Sequence, residues 1–90
     1  MDADAQLMER VRDGDSASFD LLMERYRKPV INFAYRMVRD PAAAEEIAQD
    51  VFVQIYLARK RYTASARFST WLFKVATNTT LKHIRKNRRI

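Results

Sequence analysis

The sequence predicts an all-α fold, a small helical bundle of about four helices with a loop between the last two. Three observations predict it. The 90 residues include one glycine, Gly14, and two prolines, Pro29 and Pro41, too few for a fold of hairpins or for glycine-rich phosphate loops. Apolar residues recur at spacings of three and four over long stretches. Residues suited to helix caps and stops stand between those stretches.

The first helix is expected over about residues 3–12, with Leu7, Met8 and Val11 on one side. Gly14 suits the left-handed residue after a helix, and Asp15 or Ser16 can cap the next one. The second helix is expected from about residue 17 to 38. Phe19, Leu22, Met23, Tyr26, Val30, Phe33 and Met37 form its buried stripe. Pro29 removes one backbone donor inside it, so the sequence implies a kink or a break into two helices. Asp40 caps the third helix, over about residues 41–60, and Pro41 takes the first helical position. At 100° per residue, Ala44, Ile47, Ala48, Val51, Phe52, Ile55 and Ala58 share its core side. Glu46, Gln49, Asp50, Val53 and Leu57 lie opposite. "RYTASARF", residues 61–68, has little helical periodicity and reads as a loop. The fourth helix is expected to start near Ser69 or Thr70, with a hydroxyl as its cap, and to run into a basic tail. With no repeat and no linker, residues 1–90 read as one domain.

Several kinds of chemistry are excluded. There is no cysteine, so disulfides and thiolate metal sites are ruled out. His83 is the single histidine and one imidazole rarely makes a metal site, so no metal and no cofactor is expected. Glu46 and Asp50 lie four residues apart, but on an exposed helix without His or Cys they read as a solvated or partner-facing pair. Ser69 and Thr70 have no base to activate them. The methionines beyond Met1 (Met8, Met23 and Met37) read as core positions. No catalytic residue and no small-molecule substrate is expected, so the chain is not read as an enzyme. No apolar run approaches the ~20 residues that span a membrane. "MDADAQLMER" is acidic and lacks a signal-peptide pattern, so a cytoplasmic location is expected.

The net charge of +6 conceals a division. Residues 1–50 hold 7 Lys/Arg and 11 Asp/Glu, whereas residues 51–90 hold 10 Lys/Arg and no acid. Such asymmetry points to a polyanion on one side of the molecule, or else to a solvated basic tail. On a helical wheel, Leu72, Phe73, Ala76, Thr80 and Ile84 fall on one half of the fourth helix. Trp71, Val75, Asn78, Lys82, Arg85 and Arg89 fall on the other. The aromatic residues and the cations of this segment thus belong to stripes of one helix. An aromatic among cations suits unpaired bases, which stack on it while Lys and Arg meet phosphates, and Asn can bond a base edge. Spacing alone equally allows Trp71 to be half-buried under the loop.

"RFSTWLFKVATN", preceded by "AEEIAQDVFVQIY", resembles region 2 of the bacterial sigma-70 family, and more narrowly its extracytoplasmic-function (ECF) group. "LMERVRDGDSASFDLLMERYRKPVINFAYRMVRDPAAAEEIAQDVF" is similar to that group's first two conserved subregions. The likeness covers about residues 7–89, with several motifs in order at family spacing. It implies a sigma factor region 2 fold and a function in transcription initiation, bridging RNA polymerase and promoter DNA. By resemblance, the helix matching residues 41–60 docks on the clamp helices of the polymerase β′ subunit through Glu46, Gln49, Asp50 and Val53. The loop captures a base flipped from the non-template strand of the promoter −10 element, with Tyr62, Thr63, Ser65, Arg67 and Phe68 as candidates. The following helix contacts the upstream edge of that element through Trp71, Lys74, Asn78, Lys82 and Arg85. Ser69, Thr70, Lys86 and Arg89 complete the expected DNA-binding set. Most relatives are held by an anti-sigma factor that covers the polymerase-binding face, so such a partner is expected too.

Two departures from the family pattern stand out. Many relatives carry glycine in the loop, and "RYTASARF" has none. Primary sigma factors carry adjacent tryptophans where this chain has Lys74 and Val75, which fits the ECF group and implies weaker duplex opening. The family also has a second helical domain that reads the −35 element, and residues 1–90 are expected to hold region 2 without it. The alternative reading is a generic basic helical nucleic-acid binder, such as an RNA-binding domain. A membrane-surface protein is a third reading, but Leu72, Ala76, Thr80 and Ile84 make a weak apolar face for it.

Overall fold

The computed structural model describes residues 2–88. Four helices follow in order: α1 (Ala3–Arg12), α2 (Ser16–Val38), α3 (Pro41–Leu57) and α4 (Phe68–Asn87), with a short 3-10 turn at Arg59–Arg61 after α3. α2 packs against α1, α3 and α4, and α3 packs against α4. No strand occurs among the described residues.

The boundaries have local chemical causes. Gly14 at φ 103° turns the chain after α1, a backbone conformation open to glycine at little cost. Asp15 caps α2, accepting the Ala17 N–H at 3.1 Å and the Ser18 hydroxyl at 2.8 Å. The Ser18 bond is the main cause holding the Asp15 carboxyl below its ordinary value, with the backbone bonds adding to it. Asp40 caps α3 through the N–H groups of Ala42 and Ala43. The third helix ends at Leu57 rather than near residue 60, because its last turn tightens into the 3-10 turn.

The core is the stripe expected on each helix, with adjustments. Met8 and Val11 of α1, Leu22 and Val30 of α2, Ile47, Val51 and Ile55 of α3, and Leu72 and Ala76 of α4 are all buried. α2 runs through Pro29 without a break. Pro29 is exposed, so the carbonyl deprived of its donor can turn to water. Beyond it the buried positions are Val30 and Ala34, with Val38 half-buried. Met37 is 40% exposed and is not a core residue. A spacing of four carries the stripe through Val30, Ala34 and Val38 and leaves Met37 beside it. Thr80 is fully buried on α4, where its hydroxyl donates to the Ala76 carbonyl at 2.7 Å. No helix among the described residues is long and apolar enough to cross a membrane.

Candidate nucleic-acid interface

The outward stripe of α4 forms as its periodicity requires. Lys74, Asn78, Lys82, Arg85 and Lys86 are exposed, and Trp71 and Val75 are half-buried. Arg89 lies outside the described residues. The loop before α4 bends over the start of this stripe and encloses a recess of about 130 Å³, lined by Arg61, Tyr62, Thr63, Ser65, Ala66, Arg67 and Trp71. Thr63, Ser65, Arg67 and Thr70 are exposed and Ser69 is half-buried.

Two of the residues expected at the base, Tyr62 and Phe68, are buried in the core. Phe68 is 1% and Tyr62 4% exposed, so neither ring offers a face to an incoming base. They build an aromatic cluster beneath the loop. Tyr26 and Phe68 lie 5.5 Å apart, Tyr62 and Phe68 6.3 Å, and Phe68 and Trp71 6.0 Å. Tyr62 meets Trp71 edge-on at 5.1 Å. Trp71 is half-buried, as its spacing allows: it packs on the cluster and also lines the recess. Burial, ahead of the nearby Asp2 and Glu9 carboxylates, pushes the Tyr62 phenol up. Its hydroxyl is buried without a partner. Arg12 of α1 donates to the Tyr62 carbonyl at 3.4 Å and ties the loop entry to the first helix.

The start of α4 also differs from expectation. The helix begins at Phe68, so Ser69 and Thr70 lie within its first turn and neither caps it. Arg67 occupies the cap position without a side-chain bond. The acceptor comes from the other end of the sequence, where Asp2 Oδ2 takes the Phe68 N–H at 3.2 Å.

The outer face of α3 is exposed at Glu46, Gln49, Asp50 and Val53, but these residues divide between two depressions. Glu46 and Asp50 line a cleft of about 570 Å³ shared with α4, opposite Trp71, Asn78, Lys82 and Lys86. Among the described residues no ion pair closes it. Gln49 and Val53 line a groove of about 660 Å³ against α2, walled by Phe19, Met23, Ile31, Phe52, Tyr56 and Leu57. Val53 is 52% and Leu57 62% exposed. Sequence reasoning did not select Tyr56 or Leu57 for this surface, although Leu57 was already apolar on the polar side of its wheel. Tyr56 is fixed by Phe19 at 5.2 Å and by the Arg59 guanidinium, 4.0 Å from its ring centroid. His83 faces the Asn87 amide at 3.1 Å. Among the described residues no group of three or more His, Cys, Asp or Glu could hold a metal ion.

The sequence matches the family described as Sigma-70 region 2 over residues 22–90. The chain belongs to that family. Its relatives place it in the ECF group of sigma-70 region 2 domains. It is 37% identical to the RNA polymerase sigma-H factor of Pseudomonas aeruginosa over 90% of this chain and 42% of that protein. It is 33% identical to the ECF RNA polymerase sigma factor SigW of Bacillus subtilis, covering 90% of this chain and 43% of that one. The chain thus spans less than half the length of these curated relatives. An engineered region 2 of sigmaE, solved by NMR in complex with GTAAAA, is 32% identical and superposes with a TM-score of 0.88, covering 99% of this chain and 96% of that one. The ECF region 2 fold thus accounts for the way the loop, α3 and α4 come together.

Proposed function

We propose that this chain acts in transcription initiation, binding RNA polymerase through α3 and the promoter −10 element through α4 and its preceding loop. The observation that carries the reading is the recess lined by Trp71 at the head of a basic stripe. Its volume is of the order of a single nucleobase. A base drawn out of a duplex loses a few kcal/mol of stacking and pairing. Stacking on an aromatic returns roughly 1–3 kcal/mol, and an enclosing loop adds to it. Thr63, Ser65 and Arg67 supply polar groups around such a base, and the backbone of Tyr62 shapes the wall. Lys74, Lys82, Arg85 and Lys86 meet phosphates, and Asn78 reads a base edge at the upstream side. The sigmaE domain bound to GTAAAA supports this reading by likeness of fold.

On the polymerase side, Glu46, Gln49, Asp50 and Val53 are the proposed contacts to the β′ clamp helices. Tyr56 and Leu57 extend the same surface into the apolar groove. An anti-sigma factor is the proposed competitor for this face. The role is one of binding rather than catalysis, in the cytoplasm, where core polymerase works. The test is the affinity of the 90-residue chain for single-stranded GTAAAA, for a scrambled DNA of the same composition and for the matching RNA, alongside a pull-down with core polymerase. Preference for the DNA GTAAAA and capture of core polymerase are the expected results. Equal binding of all three oligonucleotides without polymerase capture would favour a generic nucleic-acid binder.

A further inference from the structure

A helix leaves its first N–H groups without intrahelical partners, and at the start of α4 these donors differ in their access to water. Phe68 is 1% exposed, whereas Ser69 is half-buried and Thr70 exposed. The Phe68 N–H therefore depends on a protein acceptor, and Asp2 Oδ2 supplies it at 3.2 Å from 66 residues away. The other oxygen of the same carboxylate, Oδ1, accepts from the Ala5 N–H at 2.7 Å and caps α1. One carboxylate spans the starts of two helices, and both helix dipoles favour its negative charge.

Phe68 is also joined to the recess. Its ring contacts Trp71, and Trp71 contacts Tyr62, so the placement of the first turn of α4 sets the placement of two residues that line the recess. We infer that Asp2 is a positioning residue for the nucleic-acid site. By holding the Phe68 backbone it fixes where Trp71 and the loop stand, without itself touching nucleic acid. This inference rests on the base-capturing reading of the recess.

Electrostatics gives the inference a distinctive sign. Asp2 lies beside Arg67, with which it lines a hollow at the base of the loop. Removing an anion from next to a basic surface strengthens the binding of any polyanion. A positioning role predicts the opposite for the preferred sequence and no loss for an unrelated one.

Two substitutions separate the caps. Asp2→Asn keeps one oxygen for α1, where Asn caps as well as Asp, but replaces the second acceptor with a donor. Asp2→Ser also caps α1 and is too short to bridge. Both variants of the 90-residue chain should retain their helicity by circular dichroism and the exchange protection of the Ala5 amide. The Phe68 amide should exchange about tenfold faster or more as the first turn opens locally. Affinity for single-stranded GTAAAA should fall several-fold, while a scrambled strand binds as before or more tightly. If Phe68 exchange quickens but both strands bind as tightly as before or more so, Asp2 is a structural cap alone and the inference is overturned. Unchanged Phe68 exchange in both variants overturns it as well. If the unsubstituted chain does not distinguish GTAAAA from the scrambled strand, the base-capturing reading itself fails and takes the inference with it, although Phe68 exchange still reports on the bridge.

Discussion

Phe68 is sealed into the aromatic cluster, while Trp71, three residues further on, keeps part of its indole at the recess. A spacing of three puts the two on nearly the same side of α4, so burial rather than periodicity separates their roles. From two turns later the stripe is exposed, at Asn78, Lys82 and Arg85, and side-chain chemistry decides what each residue can do. Asn78 and Lys82 are both exposed and both line the α3–α4 cleft. An amide can pair with a base edge, so Asn78→Ala should reduce discrimination at one promoter position by roughly 1–3 kcal/mol. A lysine meets phosphate, so Lys82→Ala should weaken all sequences about equally and make the salt dependence shallower by about one. The measurement is affinity over a set of single-base variants of the −10 strand at two salt concentrations. A uniform loss for Asn78→Ala would show that Asn78 is not a reader.

At the scale of elements, legibility in the sequence followed how local the cause was. The start and core stripe of α3 were readable to the residue because Asp40, Pro41 and the residues from Ala44 to Ile55 all act within the segment, whereas its end falls three residues early. The start of α4 was not readable as a cap, because its acceptor, Asp2, comes from the opposite end of the chain. The burial of Tyr62 and Phe68 was not readable for a related reason: loop aromatics carry no periodicity, so nothing local says which way they face. The exposed face of α3 was legible as a face, but its division between a cleft of mixed charge and an apolar groove depends on where α2 and α4 lie. That division bears on the polymerase contact. Asp50 is exposed and lines the α3–α4 cleft, with Ile47, Val51 and Ile55 buried opposite. Asp50→Arg should therefore leave the fold intact by circular dichroism and weaken core-polymerase affinity, since a reversed charge at a desolvated contact can cost several kcal/mol. Single-strand binding should be unchanged or slightly stronger, because the α3–α4 cleft loses an anion facing Lys82 and Lys86. Unchanged polymerase affinity in a folded variant would remove Asp50 from the interface.

The whole molecule is about twice as long as it is wide, 41 Å by 21 Å by 21 Å, with α2 as its longest helix. Its charge is divided along the sequence, and the basic part is left without internal neutralisation. The two ion pairs among the described residues, Arg12 with Asp13 and Arg25 with Asp4, both belong to the first half. None of the described cations after Asp50 is drawn into one, although Glu46 and Asp50 face Lys82 and Lys86 across the cleft. Unpaired cations on one helix hold the counterion-releasing capacity that a nucleic acid uses. If about four phosphates are neutralised on a single strand, the slope of log affinity against log salt should be roughly −3. The same slope should appear for GTAAAA and for a scrambled strand, because phosphate contacts carry no sequence information, whereas the intercepts should differ by the contribution of the recess and Asn78. Titrations of both strands at four or more salt concentrations measure the two quantities separately. A slope near zero would make the basic stripe a solvated tail, and equal intercepts with a steep slope would reduce the domain to an unspecific polyanion binder.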